Sequence, residues 1–311
     1  MPPRRSPSGS PPRTDMRRRI VLAALAGLAF ASPAFARCED WVPQPKPQNA
    51  GRDIVGQDLD QIIERGYIEF AAYEDFSPWS YEEAGKPAGV DIEIGRLIAA
   101  DLGVEPRFRL VAAGENLDAD LRNNVWKGPV IGGRVSNVML HVPYDSAYTC
   151  RVEQVVFTGQ YAAEQIAIAY REEAYPEDPP VPAYFRIDTV AVENDSITDF
   201  YLTSFAGGQL AQGVRRYPSY AAAMDALGAG ETMAAMGPLA QLEAGAGEGI
   251  AIHQPPLAGF AVSRWTIGVG VHMRYRALGY AVDDAIRAGL EDGRIAAIFE
   301  RYGLSHLPPE R

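Results

Sequence analysis

Asn194-Asp195-Ser196 stands directly before a stretch with helical spacing, Asp199 to Leu210. A polar turn there leaves backbone N–H groups free at a helix start, where the positive end of the dipole favours an anion. The same side chains can instead do no more than cap the helix, and Asp195 is itself an anion. A second polar group, His141 to Ser146 (HVPYDS), follows an apolar stretch that reads as a buried strand. N–H groups at a strand end, with Tyr144 or Ser146, can donate to an anion. His141 is either a neutral donor to the same ligand or a histidine of the core, and Asp145 reads as a turn residue. A guanidinium grips a carboxylate through two parallel charge-assisted bonds. Read alone, Arg151 is either such a group or a surface arginine paired with Glu153 or Asp145. Phe76, Trp79 and Tyr81 share one loop, where flat rings stack on a planar solute or simply pack the loop.

Signatures of catalysis are missing from the sequence. His141, His253, His272 and His306 are dispersed, with no pair at metal-ligand spacing. There is no G-x-S-x-G turn, phosphate loop or G-x-G-x-x-G run. The glycines between Gly237 and Glu248 do not follow a phosphate-cradling pattern, and the pairs Glu172-Glu173 and Asp283-Asp284 read as solvated faces. The expectation is a binding protein and not an enzyme, with no cofactor and no metal.

The elements that must position these groups alternate. Asp58 to Arg65 reads as a short helix, broken by Gly66, and Tyr67 to Tyr73 as a strand. Glu74 to Gly89 reads as a loop or hairpin. Val90 to Leu102 places apolar residues at 90, 94, 97, 98 and 102, the period of an amphipathic helix. Strands are expected at 104–110, 135–142, 155–157 and 165–170, with a helix over 117–126. A second unit follows, with strands at 187–192, 214–217 and 232–236 and helices at 199–210, 220–227 and 238–244. The chain returns through the β-rich run 260–271 and ends in helices at 278–290 and 293–302. Alternation of this kind implies α/β lobes with mixed or parallel sheets.

Composition agrees with a globular protein of two ordinary domains, 311 residues long, 47% apolar and 22% charged. The N-terminus reads as an export signal: Met16-Arg17-Arg18-Arg19, an apolar run from Ile20 to Phe30, and Ala34-Phe35-Ala36 as the cleavage site. Residues 1–15 are either the result of an upstream start codon or an extension. Residues 37–57 read as an extended arm. Residues 1–36 carry six arginines and one aspartate, so the remainder holds 23 basic and 39 acidic residues, a net charge of −16. Such a surface excludes nucleic acid and anionic membranes as general partners. Export implies an oxidising compartment in which Cys38 and Cys150 can pair, two unpaired thiols being the other reading. Arg37 before Cys38 argues against a lipid-anchored form and for a periplasmic protein.

From Asp58 to Leu304 the order of motifs resembles the family 3 solute-binding proteins of ABC transporters, the amino-acid-binding class. Tyr73 to Tyr81 (YEDFSPWSY) with Gly89-Val90-Asp91-Ile92-Glu93-Ile94 is similar to that family's opening strand, aromatic loop and helix start. Arg151 to Tyr161 (RVEQVVFTGQY) and Gly293 to Gly303 (GRIAAIFERYG) are similar to its middle and C-terminal motifs. Trp126-Lys127-Gly128, His141 to Asp145 and Gly237 to Ala240 resemble the subfamily found beside quinoprotein (methanol-type) dehydrogenases.

The resemblance implies an α/β, type II periplasmic-binding-protein fold: two lobes, each a central sheet flanked by helices, joined by two crossing hinge strands near 161–170 and 260–271. Lobe 1 would comprise residues 58–163 and 267–311, and lobe 2 residues 164–266. The solute would lie between them, with Arg151 on its carboxylate, Phe76, Trp79 and Tyr81 covering it, and the Asn194–Ser196 turn opposite. Arg264 and Trp265 would brace the return crossing. The family's aspartate for an α-ammonium is replaced at Gly237-Pro238, and proline neither carries charge nor donates an N–H. A small anionic solute, a carboxylate such as PQQ, is therefore expected ahead of a standard amino acid. The partner would be an ABC permease or a PQQ-dependent dehydrogenase. An accessory protein of such a dehydrogenase, with no solute, and an enzyme on the same fold, like the cyclohexadienyl dehydratases, are the other readings.

Overall fold

The computed structural model describes residues 57–310 except 132, 205, 206 and 261. The export signal, Cys38 and the arm up to residue 56 lie outside the described residues. Cys150 is disulfide-bonded. Among the described residues no helix is long and apolar enough to cross a membrane.

Helix α1 (Leu59–Arg65) opens with the Asp58 carboxylate accepting the Gln61 N–H at 3.0 Å. It closes on Gly66, whose φ of 78° is open to glycine at little cost. The chain then enters β1 (Tyr67–Tyr73), whose five interior residues are all buried. A strand buried on both faces belongs mid-sheet, and β1 pairs in parallel with β4 (Glu105–Val111) and β5 (Val138–Tyr144). The hairpin β2 (Tyr81–Glu83) and β3 (Lys86–Ala88) stands apart from this sheet and leads into α2 (Val90–Asp101). Helix α3 (Leu117–Leu121) runs on as one π turn (Arg122–Trp126), and α4 (Ser146–Arg151) follows β5.

The spine is β6 (Val155–Arg171), one unbroken strand of 17 residues. Its first half pairs antiparallel with β11 (Arg264–His272), and its last residues, from Ile166, pair antiparallel with β9 (Ala234–Pro238) and β10 (Ile250–His253). Strands β7 (Val190–Glu193) and β8 (Val214–Tyr217) extend the second part in parallel. The order across the nine strands is β4-β1-β5-β11-β6-β9-β7-β8, with β10 on β6. Around the first part pack α2, α8 (Arg276–Glu291) and α9 (Arg294–Arg301). Helices α5 (Ile197–Ser204), α6 (Tyr220–Gly228) and α7 (Leu239–Gly245) belong to the second. The apolar interior divides accordingly. Ile68, Phe70, Ile94, Ile98 and Phe299 share one cluster, and Ile166, Phe185, Val192 and Leu202 another. Trp265 packs against both, at the crossing where it was expected to brace.

Several boundaries differ from the sequence reading. The strands expected at 155–157 and 165–170 are the two ends of β6, which continues through an irregularity: Thr158 pairs with Val269 and Ala162 with Ile267, and the register shifts between them. β5 starts and ends later than the strand expected over 135–142, so Pro143 and Tyr144 lie within it and not after it, and α4 and β10 were not foreseen. The helix expected over 199–210 is shorter and earlier, starting where Ser196 caps it. A C-terminal tail after α9 runs beside β6. Ala163 donates its N–H to the Leu307 carbonyl at 2.8 Å, and the Ser305 N–H donates to Glu243 of α7 at 2.8 Å.

Candidate functional site

Three of the aromatic and polar groups singled out above meet on the first part of the sheet. The loop after β1 folds tightly: Phe76 N–H donates to Ser80 O at 2.8 Å and Trp79 N–H to Phe76 O at 2.8 Å. Its carbonyls then take the first free N–H groups of α2, Val90 to Pro78 O at 3.0 Å and Asp91 to Trp79 O at 2.8 Å. The approach is close enough that a Cβ on Gly89 would stand 2.3 Å from the Trp79 carbonyl oxygen. Phe76 and Trp79 thereby present their rings to His141, at centroid separations of 4.8 and 4.7 Å and steep angles of 89° and 67°.

His141 reaches this position through the backbone. Its φ is 56°, in the left-handed region that a non-glycine residue seldom occupies. The pairing of β5 with β11 slips here: Val142 faces Gly268 and Met139 faces Gly270, so Leu140 and His141 together oppose Val269. This is a β-bulge, and a bulge re-aims the side chain it carries. The His141 ring Nδ1 lies 3.1 Å from Asp91 Oδ2, and the Tyr161 hydroxyl donates to Asp91 Oδ1 at 2.5 Å. Asp91 and Tyr161 are completely buried. Burial first, and the Asp91 carboxylate second, hold the Tyr161 hydroxyl far above its usual range, so it stays a donor.

Arg151 ends α4 and is exposed. Its guanidinium carbon stands 5.5 Å from the Tyr148 ring centroid. The pairing with Glu153 or Asp145 does not occur; Arg151 makes no ion pair among the described residues, and Asp145 caps α4 by accepting the Tyr148 N–H at 2.6 Å. Ser146 starts the same helix and is exposed, while Tyr144 is half-buried at the end of β5.

In the second part, the turn before α5 closes on itself. Ser196 Oγ accepts the Asp199 N–H at 3.2 Å, and Asp199 accepts the Asp195 N–H at 3.2 Å and Arg216 Nε at 2.7 Å. That reciprocal pattern occupies donors that an anion would need. Asn194 is exposed and donates to Asp195 at 2.7 Å. Replacing Ser196 by alanine is expected to cost about 1 kcal/mol of stability, the ordinary worth of an N-cap, measured by urea denaturation. Beside this turn, Thr198 and Tyr220 hydroxyls lie 3.0 Å apart, and the ring of Tyr220 lies against Gly237, where a Cβ would come within 2.3 Å of it. Glu164, on β6, is 3% exposed and faces the start of α7, with the Ala240 N–H at 3.4 Å. Burial pushes its carboxyl up to about 7, against the lowering effect of N–H groups from Gln165, Ala240 and Leu239.

No family model and no curated sequence matches the chain. Solved structures do. An ancestral cationic amino acid solute-binding protein superposes with a TM-score of 0.65 at 16% identity, over 79% of this chain and 99% of that one. An amino acid ABC transporter substrate-binding protein from Streptococcus pneumoniae, bound to L-arginine, gives 0.56 at 17% identity over 81% and 100%. A solute receptor for L-cysteine of Neisseria gonorrhoeae gives 0.52 at 21% identity over 79% and 93%. The fold is that of the two-lobed solute-binding proteins.

On the solute-binding fold the sequence-selected residues fall into separate groups. Phe76, Trp79 and His141 form one cluster, with Trp79 only 1% exposed and part of the core. Tyr144, Ser146 and Arg151 lie on the end of β5 and on α4, Asn194 and Ser196 at the start of α5. Tyr81 is half-buried on the hairpin, close enough to Tyr302 for that ring to raise its hydroxyl further, after burial. Arg264, at the crossing, is tied to Gln165 at 2.7 Å and to Glu310 at 2.9 Å. Sequence reasoning missed Asp91, Tyr161 and Glu164. For Asp91 a signal existed: it shares a helix face with Ile94, Gly95 and Ile98, so its position in the stripe is a buried one.

Proposed function

We propose that this chain is a solute-binding protein that captures a small carboxylate-bearing solute between its two lobes, residues 58–163 with 267–311 and residues 164–266. It would deliver the solute to an ABC permease or to a PQQ-dependent dehydrogenase system in the periplasm. The observation that carries this reading is Arg151, an exposed guanidinium with no carboxylate partner among the described residues. It sits on a fold whose solved neighbours include an amino acid ABC transporter protein bound to L-arginine. Phe76, half-buried beside His141, offers a ring edge for the solute. Pro238 offers neither charge nor N–H, which favours a carboxylate over an α-amino acid bound through that strand end.

The test is a thermal-shift screen of the purified protein against amino acids, simple carboxylates and PQQ. A ligand at a hundred times its Kd stabilises by about 2.7 kcal/mol through mass action. Arg151→Ala removes a charge-assisted pair worth about 1.5–3 kcal/mol of binding, enough to erase most of the shift at the same concentration. A full-sized shift in the variant would remove Arg151 from the site. No shift from any compound with the wild-type protein would favour an accessory role beside a dehydrogenase.

A further inference from the structure

Resting on that capture reading, we infer that His141 recognises a hydrogen-bond donor on the solute, a hydroxyl or an ammonium, through Nε2, with Asp91 and Tyr161 as positioning residues. The hydrogen-bond chain fixes the direction of each donor. An ionised carboxylate only accepts. Asp91 Oδ1 takes the Tyr161 hydroxyl at 2.5 Å, and the Tyr161 oxygen in turn is held by a hydrogen bond from the His141 backbone. With Oδ2 3.1 Å from the ring, His141 Nδ1 must carry the proton that makes this contact. A neutral imidazole protonated at Nδ1 has its lone pair on Nε2.

That lone pair has no partner among the described residues, although the side chain is only 10% exposed. Phe76 and Trp79 hold the ring by their edges, so it cannot swing to find another partner without leaving its packing. Nε2 is therefore an acceptor that the protein leaves unbonded at the edge of the buried cluster, where a solute can reach it. The backbone departure at His141, φ 56° on a bulge, points the same way: the fold holds an unfavourable conformation in order to aim this ring. The sign of the partner follows from charge. The Asp91 carboxyl group is buried against Nδ1, and Nε2 is the other nitrogen of the ring. An anion placed at Nε2 meets the lone pair, whereas a hydroxyl or ammonium hydrogen meets an acceptor strengthened by the carboxylate behind it.

Two measurements test this. Protein labelled with 15N-histidine is observed by NMR without any ligand. The neutral form of His141 is expected to carry its proton on Nδ1, and a proton on Nε2 overturns the inference whatever the protein binds. Binding of L-lactate, L-alanine and propionate is then compared, three acids that share a carboxylate and differ only in hydroxyl, ammonium or hydrogen at C2. At least one donor-bearing acid should bind 10-fold or more tightly than propionate, and His141→Phe should narrow that gap to under 2-fold. A gap that survives in His141→Phe, or no gap in the wild type, overturns the inference while leaving capture intact. If none of the three binds and the wider screen, PQQ included, also gives no shift, it is the capture reading that falls.

Discussion

Trp79→Ala is expected to lower stability by about 3–5 kcal/mol, the cost of deleting a large ring from a packed core. For a chain of this size that corresponds to a fall of roughly 6–20 °C in Tm. The ring is 1% exposed and sits edge-on between His141 and Phe299, the latter at 5.7 Å. It also belongs to the loop whose carbonyls satisfy the start of α2, so a collapse around the cavity would loosen the support of Asp91. Urea denaturation of the two proteins checks the figure. A loss below about 1 kcal/mol would show that the ring spends its time in water, as a cover over the solute would, and would return Trp79 to the binding site.

The second large effect concerns pH. Glu164 has a folded value of about 7 against an ordinary 4.5, raised mainly by burial. The folded protein therefore holds a proton that the unfolded chain has released across this window. Stability falls as pH rises from about 4.5 through 7 and levels off above it, by about 3 kcal/mol from this one group. Glu164→Gln cannot ionise and should lack that decline, so the difference between wild type and variant grows in the variant's favour from pH 5 to pH 8. Urea midpoints at those two pH values measure it. Parallel profiles would mean that water reaches the carboxylate and that the start of α7 is open.

Much of the architecture was legible because it follows from alternation and punctuation. Gly66 after Arg65, the stripe of Val90, Ile94, Leu97 and Ile98, and the two C-terminal helices each produced the element that their spacing implies. What failed was long-range. Thr158 and Gln160 look like a break in a strand, and the strand resumes because β11 pairs on both sides of a register shift, with Thr158 and with Ala162, across more than 100 residues. The site was legible in its residue types and not in its geometry. HVPYDS marked His141, but a bulge in β5, two residues opposite one of β11, turns it toward Phe76, and no local pattern announces a change of register between strands so far apart in sequence. Tyr161 was visible only as part of a motif, since its role is defined by Asp91, 70 positions away. Glu164 lay in the expected crossing, where a single acid among apolar neighbours could have been taken as buried.

The C-terminal tail has a mechanical consequence. After α9 it lies along the point where β6 leaves the first part of the sheet, bonded to Tyr161 through His306 at 2.9 Å and to Ala163 through Leu307 at 2.8 Å. It also reaches Glu243, and Leu307 rests on the apolar cluster of the second part. A swing about β6 would have to drag this stay with it or break those bonds. If the two parts move on a solute as proposed, the length and grip of this tail would limit how far they part.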